Sequence, residues 1–154
     1  IQANDLLFRK LMRDQGATAK VVFGEVHATA KALGASGKPE LQAIGHRLGT
    51  ALKAWTDATE WLAANAKTGL SGVLTAAVPY LHLAVTVCGG WFMGKAALAA
   101  AGYLDKGEGD LAFYRAKIAT ARFYADQMLP LAAAYGETVR AGDAALAGAG
   151  DEVF

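Results

Sequence analysis

The chain has 154 residues, of which 54% are apolar and 19% charged. That length suits one domain with a core of its own, and so apolar a chain is not disordered, because it can bury enough surface to offset lost conformational entropy. Fifteen basic against 14 acidic residues leave a net charge of +1, too weak a field to hold a nucleic-acid backbone, so DNA and RNA are not expected partners.

Cys88 is the single cysteine, so no internal disulfide can form, which agrees with a reducing, cytoplasmic setting. The chain opens on Ile1 and already carries Asp5, Arg9 and Lys10. That is not the basic head and apolar middle of a secretory signal; the isoleucine start predicts a piece of a longer chain.

In chain order, Leu6, Leu7 and Leu11 line one side of a short leading helix that ends near Arg13, with Gly16 suited to the left-handed conformation that closes a helix. Val22, Val26, Ala30 and Leu33 recur at helical spacing and predict a helix over 17–34, followed by the loop residues Gly34 to Gly37. Pro39 fits the first position of the next helix, with Glu40 favourable at its positive end. From there Leu41, Ile44, Leu48, Ala51, Trp55, Ala58 and Leu62 alternate steps of three and four, the seam of a helix packed nearly antiparallel to its neighbours, up to the Thr68-Gly69 pair.

The stretch 70–103 is apolar nearly all round, and residues 68–94 contain no Asp, Glu, Lys or Arg. Such a helix is either central or in a membrane. A glycine-rich charged loop runs from Asp105 to Asp110, whose carboxylate can cap the following helix. Leu111, Tyr114, Ile118, Ala121, Ala125 and Met128 repeat the three-four seam as far as Pro130, where a kink is expected before the helix runs on towards Arg140. Small residues from Gly142 to Gly150 predict a tail that frays. With neither a repeat nor a period-two strand, the expected fold is all-α, an up-down four-helix bundle with a short leading helix and a frayed C-terminal tail.

Candidate chemistry is sparse. His27, His46 and His82 fall on three different helices with no Cys, Asp or Glu at metal-ligand spacing, and no Glu-x-x-His pair is present, so neither zinc nor a di-iron centre is expected. His82, inside the apolar run, reads as a core or interface histidine with a backbone partner. No motif around Cys88 supplies the base a nucleophile needs, so a packed, inert thiol is expected.

Gly89, Gly90 and Gly94 follow no strand and lack a phosphate-loop spacing, so they read as sites of close helix approach. Asp57 and Glu60 read as an exposed charged face. Trp55, Trp61, Trp91, Phe92, Phe113, Phe123 and Tyr124 read as core anchors or interface residues. No catalytic, cofactor-binding or metal-binding residue is assigned.

Three patches carry a family resemblance: Ile1-Gln2-Ala3-Asn4-Asp5-Leu6 with Arg9-Lys10-Leu11; Tyr80-Leu81-His82-Leu83 with Gly90-Trp91; and Phe113-Tyr114, Lys117 and Ala119-Thr120-Ala121-Arg122-Phe123-Tyr124-Ala125 with Leu129-Pro130. Together, and in this order, they resemble the C-terminal helical region of the long bacterial acyl-CoA dehydrogenases, which include the 3-methylmercaptopropionyl-CoA type. The resemblance places Ile1 just after a Tyr-Glu-Gly-Thr segment that holds the catalytic glutamate. It divides the chain into residues 1–15, the end of the last helix of an upstream core, and 16–150, an accessory helical bundle.

It implies a parent enzyme in which FAD accepts a hydride from the acyl β-carbon while that glutamate removes the α-proton, giving the trans-2-enoyl-CoA. The flavin and its base would then lie upstream, leaving this piece without catalytic residues or cofactor. Its expected partners are that core and further copies of the parent. Two alternatives stay open: a membrane-associating domain built on the charge-free run, and a free-standing module holding a small apolar ligand between its helices.

Overall fold

The computed structural model describes residues 1–66, 70–142 and 144. It is all-helical among those residues: α1 (Gln2–Asn4) runs into a π-helical segment (Asp5–Leu11), followed by α2 (Ala17–Gly34), α3 (Pro39–Asn65), α4 (Leu70–Lys106), α5 (Leu111–Gln127) and α6 (Leu131–Ala141). The expected all-α bundle forms: α3 and α4 pack on each other, α2 and α5 each pack on both, and α6 packs back on α3 and α4. The expected end of α3 at Thr68-Gly69 and most of the expected fraying tail lie outside the described residues.

The leading segment departs from a plain α-helix. Its carbonyls bond five residues on, as in Met12 N–H to Leu7 O and Gly16 N–H to Leu11 O, both 2.9 Å. The wider winding keeps residues four apart nearly in line, so Ala3, Leu7 and Leu11 are buried together. Gly16 then takes the left-handed conformation (φ +81°). Asp14 caps α2 from two residues before that glycine: its carboxylate accepts from Gly16 N–H at 3.0 Å and Thr18 N–H at 2.9 Å. The Thr18 hydroxyl, which also donates to this carboxylate, and then these backbone bonds hold the Asp14 carboxyl below its ordinary pKa. The sequence reading passed over this cap.

Pro39 occupies the first turn of α3. The seam residues Leu41, Ile44, Leu48, Ala51, Trp55, Ala58 and Leu62 are all buried; truncating a leucine or isoleucine among them to alanine costs about 2–5 kcal/mol. The following helix, α4, has 37 residues, about 55 Å of helix, and touches every other helical element. Its buried side includes Val73, Tyr80, Leu83, Val87, Ala97 and Ala101.

Asp110 caps α5 as expected, accepting from Phe113 N–H at 3.0 Å. At the other end of α5 the seam shifts by one residue: Met128 is exposed and Leu129 is buried. The cause is a widened turn before Pro130, in which both Met128 N–H and Leu129 N–H reach the Tyr124 carbonyl. The extra residue in that turn rotates Leu129 into the core. The chain does not merely kink at Pro130 but starts a new helix.

The glycines expected to permit close approach do so. A Cβ on Gly90 would meet Leu129 at 2.6 Å, and one on Gly94 would meet Leu33 at 2.9 Å. Tyr124 lies over Gly89 and donates to the Thr86 carbonyl at 3.1 Å. Gly45 is the tightest against backbone: a Cβ there would sit 2.7 Å from Ala30 O and 3.0 Å from Gly34 N.

Gly45→Ala should therefore destabilise the fold by about 1–3 kcal/mol through overpacking. At Gly49, where a Cβ has nothing within 4 Å, alanine should stabilise by up to about 1 kcal/mol through helix propensity. Urea midpoints of the two variants should move in opposite directions; a shift of the same sign would contradict the packing described.

Candidate functional site

Leu6, Leu11 and Val22 come from the first third of the chain, and Trp55, Tyr80, Leu81, Ala84, Val85 and Cys88 from α3 and α4. Together they line a half-open cavity of about 330 Å³. Lys10, Asp14 and Thr18 also line it, and the Asp14 carboxylate is already engaged in capping α2.

The deepest polar group is the Tyr80 hydroxyl. It shares a 2.8 Å hydrogen bond with Thr59 Oγ1, which also donates to the Trp55 carbonyl at 2.8 Å. Burial raises the Tyr80 pKa, partly offset by Thr59 and Trp55. Trp55 Nε1 reaches no acceptor at hydrogen-bonding geometry, although the indole lies near enough to Tyr80 to favour its phenolate. Phe23 fixes the indole edge-on, with ring centroids 4.9 Å apart. The polar pair escaped the sequence reading; the available signal was Thr59, a hydroxyl flanking the seam residues Trp55, Ala58 and Leu62.

The residues singled out from the sequence do not converge. His27 and His46 are exposed on α2 and α3. His82 is not a core histidine: it is exposed, and its ring stacks on Tyr135 of α6 with centroids 5.5 Å apart. The run that holds it is apolar on two sides, and His82 falls between the two. No group of three His, Cys, Asp or Glu comes together among the described residues.

Asp57 is held by Lys53 at 2.7 Å while Glu60 is exposed, so the two share no pocket. Burial raises the Cys88 thiol pKa, which leaves little thiolate for nucleophilic chemistry. Of the aromatic residues, Trp55 is buried and Trp61, Trp91 and Tyr124 are half-buried, whereas Phe92, Phe113 and Phe123 are exposed. Trp91 Nε1 donates to Thr29 Oγ1 at 2.9 Å, pinning α4 to α2.

The second notable surface is the outer side of α4, where Leu74, Val78, Val85 and Phe92 are exposed. By length and composition 72–106 is a candidate membrane span, but half of its most apolar window is buried within the bundle. The molecule thus offers an apolar cavity and an apolar helix face, and no assembled catalytic constellation among the described residues.

The family described as "Acetyl-CoA dehydrogenase C-terminal like" matches residues 22–149, which take in most of α2 and all of α3 to α6. The chain belongs to this family. It is 41% identical over 129 residues to the 3-methylmercaptopropionyl-CoA dehydrogenase of Ruegeria pomeroyi, covering 84% of this chain and 22% of that protein. It is 30% identical to the broad-specificity linear acyl-CoA dehydrogenase FadE5 of Mycobacterium tuberculosis, over 90% of this chain and 24% of that protein. This acyl-CoA dehydrogenase C-terminal domain therefore spans about a quarter of the length of the curated relatives it matches.

The buried tyrosine gives a test of the site. The folded chain holds the Tyr80 proton at pH values where the unfolded chain has begun to lose it, from about pH 10. Its contribution to stability is therefore full below that pH and falls as the pH climbs through the raised folded-state value. Tyr80→Phe should lose roughly 0.5–1.5 kcal/mol at neutral pH. Urea titrations of the variant above about pH 10 should show a shallower alkaline decline than the parent chain; an unchanged slope would show that Tyr80 does not carry the effect.

Proposed function

We propose that this chain is the C-terminal helical domain of an FAD-dependent acyl-CoA dehydrogenase that forms homo-oligomers and converts acyl-CoA to trans-2-enoyl-CoA. The domain packs on the catalytic core without lending it a catalytic group. The family match across residues 22–149 carries the reading. In the proposed division residues 1–15 are the end of the core's last helix and the bundle begins at residue 16.

The residues present do not fit a flavin. The glycines of α4 at 90 and 94 face Leu129 and Leu33 rather than open space. They also lie in mid-helix, where backbone N–H groups are already spent on the helix. FAD, supplied in the parent as the hydride acceptor, would be held outside this chain.

The purified chain, mixed with FAD, an acyl-CoA and an electron-accepting dye, should retain no flavin and reduce no dye. Turnover by the chain alone would overturn the non-catalytic reading.

The cavity favours a second reading, a small apolar ligand held between the helices, because its volume of about 330 Å³ lies within the usual range of ligand pockets. A ligand of that kind should raise the melting temperature of the chain. Ala19→Trp, which fills the cavity from α2, should abolish the rise; a rise that persists in the variant would place the ligand elsewhere.

A further inference from the structure

Helix α4 carries two apolar seams where a surface helix of a bundle needs one. The inner seam, with Val73, Tyr80, Leu83 and Val87, is buried in the bundle. On the outer side Leu74, Val78, Leu81, Val85, Cys88 and Phe92 follow one another by four, three, four, three and four residues, which is the spacing that seats one helix along another. Four of the six are open to solvent: Leu74 at 49%, Val78 at 55%, and Val85 and Phe92 at 60% each. Scattered exposed apolar residues are ordinary, but a line of them about 27 Å long marks a surface awaiting a partner.

Three observations identify that partner. The stripe lies within 68–94, which contains no Asp, Glu, Lys or Arg; an interfacial membrane helix would carry basic residues along its polar flanks. The relatives hold about three quarters of their length outside the matched part, and the family is a C-terminal one, so that length precedes the domain. Finally, the leading segment is laid against α4, and its Leu6 and Lys10 border the same cavity as Leu81, Val85 and Cys88 of the stripe. The leading segment thus runs beside the stripe. The cavity continues the stripe inward and gives an incoming side chain a place to insert.

We infer that the outer stripe of α4 is the docking face for a helix of the catalytic core that precedes this domain in the same polypeptide, presenting an apolar stripe at heptad spacing. The inference rests on the parentage proposed above and names the surface through which the domain and core join.

Hydroxyl-radical footprinting of the full-length flavoprotein tests it, with labelling corrected for each residue's intrinsic reactivity. Val85 and Phe92 should label several-fold more slowly than their exposure in this chain demands. Labelling at the rate their exposure demands would overturn the docking face. Protection that vanishes when the protein is diluted to monomers would also overturn it by assigning the stripe to a second copy, as would protection that appears only with phospholipid vesicles.

Val85→Asp in the full-length protein should speed proteolytic cleavage between core and domain and leave bound flavin in place; an unchanged cleavage rate counts against the docking. Flavin content separates the two readings. A full-length protein with flavin and an unprotected stripe sinks this inference alone, whereas one that binds no flavin sinks the parentage.

Discussion

The structure depends on α4 having apolar neighbours on most of its circumference. A helix that is charge-free over 72–94 cannot face water on any broad side without cost, so every other element is arranged to touch it. Helix α3 supplies the regular seam, α5 and α6 close one flank, and α2 closes another through Trp91 and Thr29. The leading segment, itself wound wide to bring Leu7 and Leu11 into line, takes part of what remains. The helices of the described residues do not surround α4, and the outer stripe is the portion they leave open.

Much of this was legible from local chemistry. Pro39, Asp110 and Gly16 each act within one turn of themselves, through a fixed φ, a side-chain acceptor and a left-handed conformation, so their roles follow from residue type alone. The α3 seam was equally plain because its buried residues recur at regular helical spacing. Features that depend on winding were hidden. A π-helical turn leaves no mark in the hydrophobic pattern, and the widened turn after Tyr124 exchanged Met128 for Leu129 in the core. The period-3.6 reading assumes the regular winding that both segments abandon.

The candidate site draws on residues far apart in the chain, from Leu6 to Cys88. His27, His46, His82 and Glu60 are exposed, and Asp57 is tied to Lys53 on its own helix. The Tyr80–Thr59 pair was not foreseen because it joins residues 21 apart on facing helices, and such pairing is set by interhelical register rather than by sequence neighbours. The exposure of His82 was hidden for a related reason. Hydropathy averaged over a window cannot tell a residue between two apolar seams from one within them, and its stack on Tyr135 required α6 to turn back after Pro130.

The close fit of α4 to α5 also constrains how such a sequence can drift. Gly89 and Gly90 together sacrifice helix propensity, about 1 kcal/mol each relative to alanine, and the space they leave is filled by Tyr124 and Leu129. Volume at these contacts is therefore constrained as a sum rather than position by position. A methyl gained at residue 89 displaces the Tyr124 ring unless residue 124 becomes smaller, and one gained at 90 displaces the Leu129 side chain unless residue 129 does. Substitutions at these four positions are coupled in pairs, so the route between two well-packed versions of this domain passes through a less stable intermediate unless both partners change together.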